Sequence, residues 1–507
     1  MTSNVDNSKR IAKNTLLLYF RMILIMIVSL YTSRVILEIL GVTDFGIYNL
    51  VAGIVVLFSF LNNSMISATQ RYLSISIGED DREHIQQVFS TSLLSVFILI
   101  LVLILLTETI GLWIVNKGLD IPSERLYVTN IIYQIAIVTM CVNIFRVPYH
   151  ASIISNERMN FYAYVSILEA ILKLVIVWIL LLSDLDKLIL YSVLLLGVNV
   201  FINLIFIYYC ITYLDSNKFL LYRNCTLLKE MLSFTSWNMF GGIADIGYKQ
   251  GTNIILNVFC GVALNATSGI INQIRTAVFS FVGNLQSAAN PQIIKSYAAG
   301  DFRYFRTLVC RISKYSYFLM LIIAIPLLFN VDLVLNLWLG TPPPYTETFT
   351  VLTLIFCLVD SLTGPLWVSM QASGYIKSYQ IVISICLLMN LPISYLFLSW
   401  GYPPLCVLII QIIVALFTFI IRIVFLQRYL HISILFYFRE VLFPICIVTT
   451  TSLILPVIIS ILYDNEYTRL VLICFSTIGT LVSIYLLGIS KDEKSFLIKR
   501  FIQNRDQ

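Results

Sequence analysis

At 507 residues, with 59% hydrophobic and 12% charged side chains, the chain is too apolar for a soluble domain, in which charged residues make up about a quarter. The formal net charge of +6 matches the Lys and Arg excess of cytoplasmic loops in a membrane protein. This excludes a soluble enzyme and a nucleic-acid-binding protein.

Apolar runs of roughly 20 residues recur along the chain, each long enough at about 1.5 Å per residue to cross a hydrocarbon core of about 30 Å. Helices satisfy their own backbone inside lipid, so the fold class is an all-α polytopic membrane protein. Lys9, Arg10 and Lys13 resemble the start of a signal peptide. The apolar segment that follows is longer than an h-region of about 7–15 residues and has no small-x-small cleavage site, so it reads as a retained first span at 14–40. Further spans are expected at 45–70, 87–113, 126–149, 161–182, 188–213, 232–258, 266–290, 307–330, 349–370, 378–399, 404–427, 440–462 and 468–488, fourteen crossings in all. Most of the ten cysteines fall inside these spans, where cysteine behaves as a small hydrophobe.

Alternate loops place twenty Lys and Arg on the side of the termini, among them Arg158, Lys295, Lys377 and Arg428, against Lys117, Arg125, Lys187 and Arg469 on the other. Both termini are therefore cytoplasmic, and the location is the cytoplasmic (inner) membrane. The outer loops are short. The longest, around 331–348 with Pro342, Pro343 and Pro344, has no room for the reactive domain of a polysaccharide polymerase or ligase. His84, His150 and His431 fall in cytoplasmic loops or at span ends, and no phosphate-loop, dinucleotide or zinc-protease motif occurs. No catalytic group, metal site or cofactor is expected.

The segment "FSFLNNSMISATQ" at 58–70 returns as "FSFVGNLQSAANPQ" at 279–292, an offset of 221. Gly41-Val42 is matched by Gly261-Val262, and Gly78-Glu79 by Gly300-Asp301. An offset of six spans makes the repeat parallel, its axis along the membrane normal. The expected organisation is a cytoplasmic tail (1–13), an N-lobe of spans 1–6 (14–213), a linker (214–231), a C-lobe of spans 7–12 (232–427), two added spans (440–488) and a cytoplasmic tail (489–507).

Ionisable residues within spans face a cavity or one another. In span 7, Asn238, Gly242, Asp245, Lys249 and Asn253 share one helix face, and span 8 carries Asn265, Ser268, Asn272, Arg275, Gln286 and Asn290. Two polar stripes on neighbouring helices indicate a watered cleft, with Arg21 at the matching region of the first lobe. Arg21, Lys249 and Arg275 give it a cationic bias suited to a phosphate or diphosphate headgroup. Asn238, Asn253, Asn272 and Gln286 are its polar lining, and Asp245 and Asp360 are candidate coupling carboxylates for a proton or sodium ion. The alternative is that Asp245 and Lys249 only neutralise each other while Gly247-x-x-x-Gly251 forms a packing face. Asp360 also reads as a hydrogen-bonded structural acid, and Glu169 with Lys173 as a pair of either structural or functional kind. Arg146 and Arg422 sit near cytoplasmic span ends and can snorkel, and Arg34 with Glu38 has i,i+4 spacing.

The stretches "LGVTDFGIYNLVAGIVVLFSFLNNSMISATQRYLSISIG" (40–78), "VPYHASIISNERMNFYAYVSILEAILKL" (147–174), "NATSGIINQI" (265–274), "NPQIIKSYAAGD" (290–301), "LWLGTPPPYTETF" (337–349) and "QASGYIKSYQ" (371–380) resemble the Wzx-type polysaccharide flippases of the multidrug/oligosaccharidyl-lipid/polysaccharide (MOP) exporter superfamily. The resemblance runs over nearly the whole chain. It implies a V-shaped pair of six-helix lobes that moves a polyprenyl-diphosphate-linked oligosaccharide from the inner to the outer leaflet for O-antigen, capsule or exopolysaccharide assembly. It also implies a cation-lined cavity, an ion gradient, and work beside a polysaccharide polymerase and chain-length machinery. The matching motifs are loop and helix-end features, so they point to the family and not to a binding site. The nearer rival is a cation-coupled drug exporter of the same superfamily.

Overall fold

Long apolar segments form helices because lipid offers their backbone groups no other partner. The protein, described here by a computed structural model, has described residues 14–29, 31–32, 35–36, 38–41, 44, 47–48, 59–113, 115–116, 123–214, 225–260, 262–339, 342–462 and 466–490. The basic start with Lys9, Arg10 and Lys13, Arg34 of the Arg34–Glu38 spacing, Phe58 of the repeat and the tail from Lys491 lie outside the described residues.

Among the described residues, nine helices are long and apolar enough to cross a membrane, and Asn14–Ser29 and Leu472–Gly488 are shorter apolar helices. In chain order the helices are α1 (Asn14–Ser29), α2 (Ser59–Gly78), α3 (Arg82–Leu106), α4 (Leu126–Phe145), α5 (Val147–Ser155), α6 (Met159–Leu182) and α7 (Lys187–Tyr213). They continue with α8 (Cys225–Cys260), α9 (Val262–Ala298), α10 (Phe302–Phe329), α11 (Val331–Leu339), α12 (Thr346–Ser361), α13 (Thr363–Ser373), α14 (Ile376–Leu388) and α15 (Asn390–Ser399). The last are α16 (Leu405–Leu430), α17 (Ile434–Tyr437), α18 (Phe443–Leu462) and α19 (Glu466–Ser483). Two differences from the hydropathy reading stand out. Helices α8 and α9 have 36 and 37 residues, longer at both ends than the expected spans 232–258 and 266–290. The expected loop at 331–348 contains the short helix α11.

The chain divides into two compact units, one of Met1–Ile243 with Ile294–Asp301, the other of Ala244–Ile293 with Phe302–Gln507. In the first unit, α2 packs on α5 and α3, and α7 on α4 and α6. Its core gathers Leu73, Val88, Phe89, Ile153, Ile202 and Cys210. Small polar side chains tie these helices at close range: Thr69 to Ser92 at 2.8 Å and Ser74 to Ser155 at 3.2 Å. In the second unit, α10 is the central helix, covered by α12, α18 and α19, while α16 closes on α12 and α13. The outward faces are apolar. Leu94, Phe97, Leu101 and Leu105 line one exposed face of α3, and Ile409, Ile413, Leu416 and Ile420 one of α16; such stripes suit hydrocarbon.

The turns after α2 and after α9 share a backbone design. After α2, Asp80 has φ +56°, its amide donates to the Ile77 carbonyl and that of Asp81 to Ser76. After α9, Gly300 has φ +73°, its amide donates to Tyr297 and that of Asp301 to Ser296. The match in the sequence between Gly78-Glu79 and Gly300-Asp301 is therefore displaced: Asp80-Asp81 is the equivalent of Gly300-Asp301, because the left-handed position, tolerated by Asp and free for Gly, sets the register. Glu157 after α5 (φ +57°) and Gly374 after α13 (φ +81°) stand in the same relation. Counting 217 residues on from the starts and ends of α6 and from the end of α7 reaches the start of α14, the end of α15 and the end of α16.

Candidate functional site

In the second unit, the later part of α8 presents Lys249, Thr252 and Asn253 to a small cavity of about 50 Å³, faced by Ser268, Asn272 and Arg275 of α9, Thr353 and Phe356 of α12 and Gln411 of α16. The 3,4 spacing on α8 brings Asp245 and Lys249 together, Nζ to Oδ2 at 2.7 Å, with each side chain 46% exposed. Arg275 does not stand as an isolated cation. Its guanidinium lies 4.5 Å above the Phe356 ring, and Nη2 is 3.8 Å from Asp360 Oδ2. Asp360 Oδ1 also accepts from Thr363 Oγ1 at 3.2 Å. Lys249 and Arg275 are thus matched by Asp245 and Asp360, so this cluster is balanced in charge, not cationic.

Two expected lining residues are elsewhere. Gln286 is buried, and its Nε2 donates to Ser316 Oγ at 3.2 Å and to the Ser361 carbonyl at 3.0 Å. The reason is Pro365: it has no N–H for the carbonyl four residues back, which is that of Ser361, and Gln286 supplies the missing donor. Asn238 is buried in the stretch of α8 that belongs to the first unit. Of Gly247 and Gly251 on α8, only Gly251 packs closely, since a Cβ there would lie 2.8 Å from the Leu391 side chain, whereas one at Gly247 would meet Leu388 at an ordinary 3.8 Å.

The first unit holds a larger cavity of about 140 Å³, lined by Asn62, Asn143, Arg146, His150, Tyr162 and Glu169 with apolar neighbours. A proline again makes it. Pro148, near the start of α5, interrupts the helical ladder after α4 and turns Arg146 and His150 inward. Arg21 of α1 stacks its guanidinium 4.5 Å above Tyr162, and Arg146 sits 5.4 Å from the Phe206 centroid. His150 lies between those rings, 5.0 Å from Tyr162 and 6.0 Å from Phe206. Glu169 Oε1 is 2.7 Å from Lys173 Nζ, and Oε2 is 4.0 Å from Arg146 Nη1. The Nε and Nη1 of Arg21 are buried with no hydrogen-bond partner among the described residues. Arg146 and Lys173 thus share the Glu169 carboxylate, while Arg21 stacks on Tyr162 of the same cavity lining. A buried donor without an acceptor is costly, so such a site favours an anion.

The polar network of the first unit was only half visible in the sequence. Arg146 reads as a snorkelling span-end residue and His150 as a loop residue because hydropathy ends the span at 149. The signal available was Pro148 within "VPYH", which kinks the helix and keeps both residues within the bundle.

The matching family model describes a polysaccharide biosynthesis protein and spans residues 11–297. The chain belongs to this polysaccharide biosynthesis family. Solved structures show the same fold. One is an outward-facing multidrug resistance MATE family transporter of the MOP superfamily, 14% identical, with a TM-score of 0.74 over 84% of this chain and 96% of that one. A MOP superfamily transporter from Pyrococcus furiosus, also 14% identical, gives 0.73 over the same shares. A point mutant of the Vibrio cholerae MATE transporter VcmN is 16% identical and gives 0.68 over 86% of this chain and 100% of that one. No curated protein matches the chain. The family member described here is therefore a multi-pass, all-helical membrane protein with the MATE-like fold of MOP transporters, and its place is in polysaccharide biosynthesis.

Proposed function

We propose that this protein is a flippase that carries polyprenyl-diphosphate-linked oligosaccharide units from the inner to the outer leaflet of the cytoplasmic membrane. The observation that carries the reading is the cavity of the first unit, lined by Arg146 and Glu169, with Arg21 stacked on its Tyr162 and Lys173 paired to its Glu169, three cations against one carboxylate among these residues. A diphosphate headgroup supplies the acceptors that the guanidinium donors lack, and Arg is shaped to hold one with paired bonds. A place in polysaccharide biosynthesis supports a glycan cargo. The transporter fold supports movement and not bond making.

On this reading the chain crosses the membrane fourteen times with both termini cytoplasmic, as the Lys and Arg distribution requires. The recurrent turns and helix ends support two six-helix lobes, 14–213 and 232–427, related by a parallel repeat, with 440–488 added. Substrate is held between alternating openings. The two carboxylates of the second unit, Asp245 and Asp360, are the coupling groups. Protonation of Asp245, or a sodium ion beside it, releases Lys249, and the same event at Asp360 releases Arg275, so that the balanced cluster turns cationic only during part of the cycle.

The experiment is translocation of a lipid-diphosphate-linked oligosaccharide across proteoliposomes, scored by an impermeant glycan-cleaving reagent. Wild type should flip it, and Arg146→Gln and Arg275→Ala should slow flipping at least tenfold at unchanged membrane abundance. Absence of flipping under every imposed proton or sodium gradient would sink the reading. Export of a cationic drug in its place would favour the multidrug alternative.

A further inference from the structure

Away from both cavities, the first unit carries a polar strip on helices otherwise apolar on their exposed faces. Helix α3 runs into a π-turn at Thr107–Gly111. Tyr133 of α4, fully buried, keys this turn by donating its hydroxyl to the Thr107 carbonyl at 2.7 Å. Gly111 is required there, because a Cβ would lie 2.0 Å from that hydroxyl. The extra residue of the π-turn shifts the helical phase, and Glu108 and Asn116 come to face α4. Asn116 and Asn130 exchange side-chain amide bonds of 3.2 and 3.0 Å, and Gln134 Nε2 donates to Glu108 Oε2 at 3.2 Å. The two pairs stand one helical turn apart, about 6 Å along α4. Trp113 and Tyr127 lie on the same pair of helix ends, 61% and 77% exposed.

The chemistry of this strip differs from that of the cavities. Its acceptors are one carboxylate and three amide carbonyls with spare lone pairs, its donors are amides, and its exposed flat surfaces are two aromatic rings. Arg125, at the start of α4, is already held by Asp44 at 2.9 Å and Asp186 at 2.7 Å, so an anion gains little there. Asn116 and Gln134 are exposed and Glu108 and Asn130 half-buried; polar groups so placed are unfavourable against lipid, which puts the strip against water. A hydroxyl-rich, uncharged ligand with flat apolar faces fits: a pyranose stacks on an aromatic ring and trades hydroxyl bonds with carboxylate and amide groups.

We propose that Glu108, Asn116, Asn130 and Gln134, flanked by Trp113 and Tyr127, form a glycan-binding strip that holds sugar rings of the translocated oligosaccharide near the outer face. The site's link to transport rests on the flippase reading and on its orientation; the binding of sugar by the strip does not. Competing explanations are interhelical amide bonding alone and an interfacial aromatic belt.

Two measurements separate these. The first is saturation-transfer NMR of the purified protein in detergent, with the soluble oligosaccharide released by mild acid from the source cell's own lipid-linked unit as the probe. Wild type should show contact to the sugar protons, and Asn130→Leu with Gln134→Leu, or Trp113→Ala with Tyr127→Ala, should reduce the signal at least fivefold. The aromatic pair is exposed, so its loss leaves the fold intact even if the amide pair does not. The surface control is Lys187→Gln on the exposed start of α7, which should bind as wild type does. The second is proteoliposome flipping of the full lipid-linked unit against the same lipid diphosphate bearing one sugar. The strip variants should raise KM for the full unit at least tenfold and leave the one-sugar substrate nearly unchanged. Equal losses on both substrates, or undiminished sugar contact in the aromatic variant, would overturn the strip while leaving the flippase reading in place. Sugar contact that the variants abolish in a protein that flips nothing would retain the strip and overturn the flippase reading.

Discussion

The amide of Gln286 donates to the backbone carbonyl of Ser361, the carbonyl that Pro365 leaves without its helical donor. Gly364 lies against the same amide, and a Cβ there would meet Oε1 at 2.2 Å. The break between α12 and α13 is thus held by a side chain from α9, and it positions Asp360, immediately before the break, beside Arg275.

Gln286→Leu should therefore cost about 1–3 kcal/mol by leaving a buried carbonyl unsatisfied. Gly364→Ala should cost a similar amount, about 1–3 kcal/mol, by overpacking. Because the two act on one contact, Gly364→Ala should cost markedly less in the Gln286→Ala background. Thermal melting of the purified protein in detergent measures both; strict additivity would show that the two residues do not share the contact.

These residues also show how far the sequence could be read. Hydropathy identifies the apolar helices because lipid leaves an apolar segment few choices, and the 3,4 spacing on α8 places Asp245 beside Lys249 because a helix has a fixed period. Gln286 shares a stripe with Arg275 in the sequence, yet it turns into the core, since the demand it meets comes from a proline some eighty residues later in the chain. Asp360 likewise reads as a lone acid until folding brings α9 against α12. Partners separated by that distance leave no local pattern. The cavity of the first unit was hidden for another reason: the span-end rule assigns Arg146 to the interface, whereas the kink at Pro148 keeps it within the bundle.

Lys295, in the last turn of α9, is 2.8 Å from Glu157, whose side chain is 1% exposed. Removing one partner of a buried ion pair costs about 3–5 kcal/mol, so Lys295→Ala should lower the melting temperature more than any exposed charge change. Glu157 also occupies a left-handed backbone position, where a glycine is unstrained. Glu157→Gly should thus be less damaging than Glu157→Ala, by about 1 kcal/mol. If the two variants melt together, backbone strain at this turn is not a component of stability.

Asp245 and Lys249 form an exposed i,i+4 pair, and such pairs contribute about 0.3–0.5 kcal/mol. Asp245→Asn and Lys249→Gln should consequently leave melting and membrane abundance almost unchanged. Under the coupling role proposed for Asp245, Asp245→Asn should make flipping insensitive to an imposed proton or sodium gradient, while Lys249→Gln slows it. A loss of abundance in step with activity in both variants would return the pair to a purely structural role.

Glu169 pairs with Lys173 and Arg146 in the cavity on whose Tyr162 Arg21 stacks, and it opposes the effect of those cations on an incoming anion. Replacing it with the neutral amide should strengthen anion binding even as it removes the partner of Lys173. Inorganic pyrophosphate, titrated calorimetrically into the purified protein at low salt, is a direct probe. Glu169→Gln should bind it several-fold more tightly than wild type and Arg146→Gln at least tenfold more weakly, about 1.4 kcal/mol. Both differences should shrink as salt is raised, because the cavity is partly open and its charges are screened. Tighter binding by a cavity that must also release its cargo should slow turnover, so Glu169→Gln should lower both KM and kcat for flipping. Weaker pyrophosphate binding in Glu169→Gln would instead show that the carboxylate's main task is to hold Arg146 and Lys173 in place.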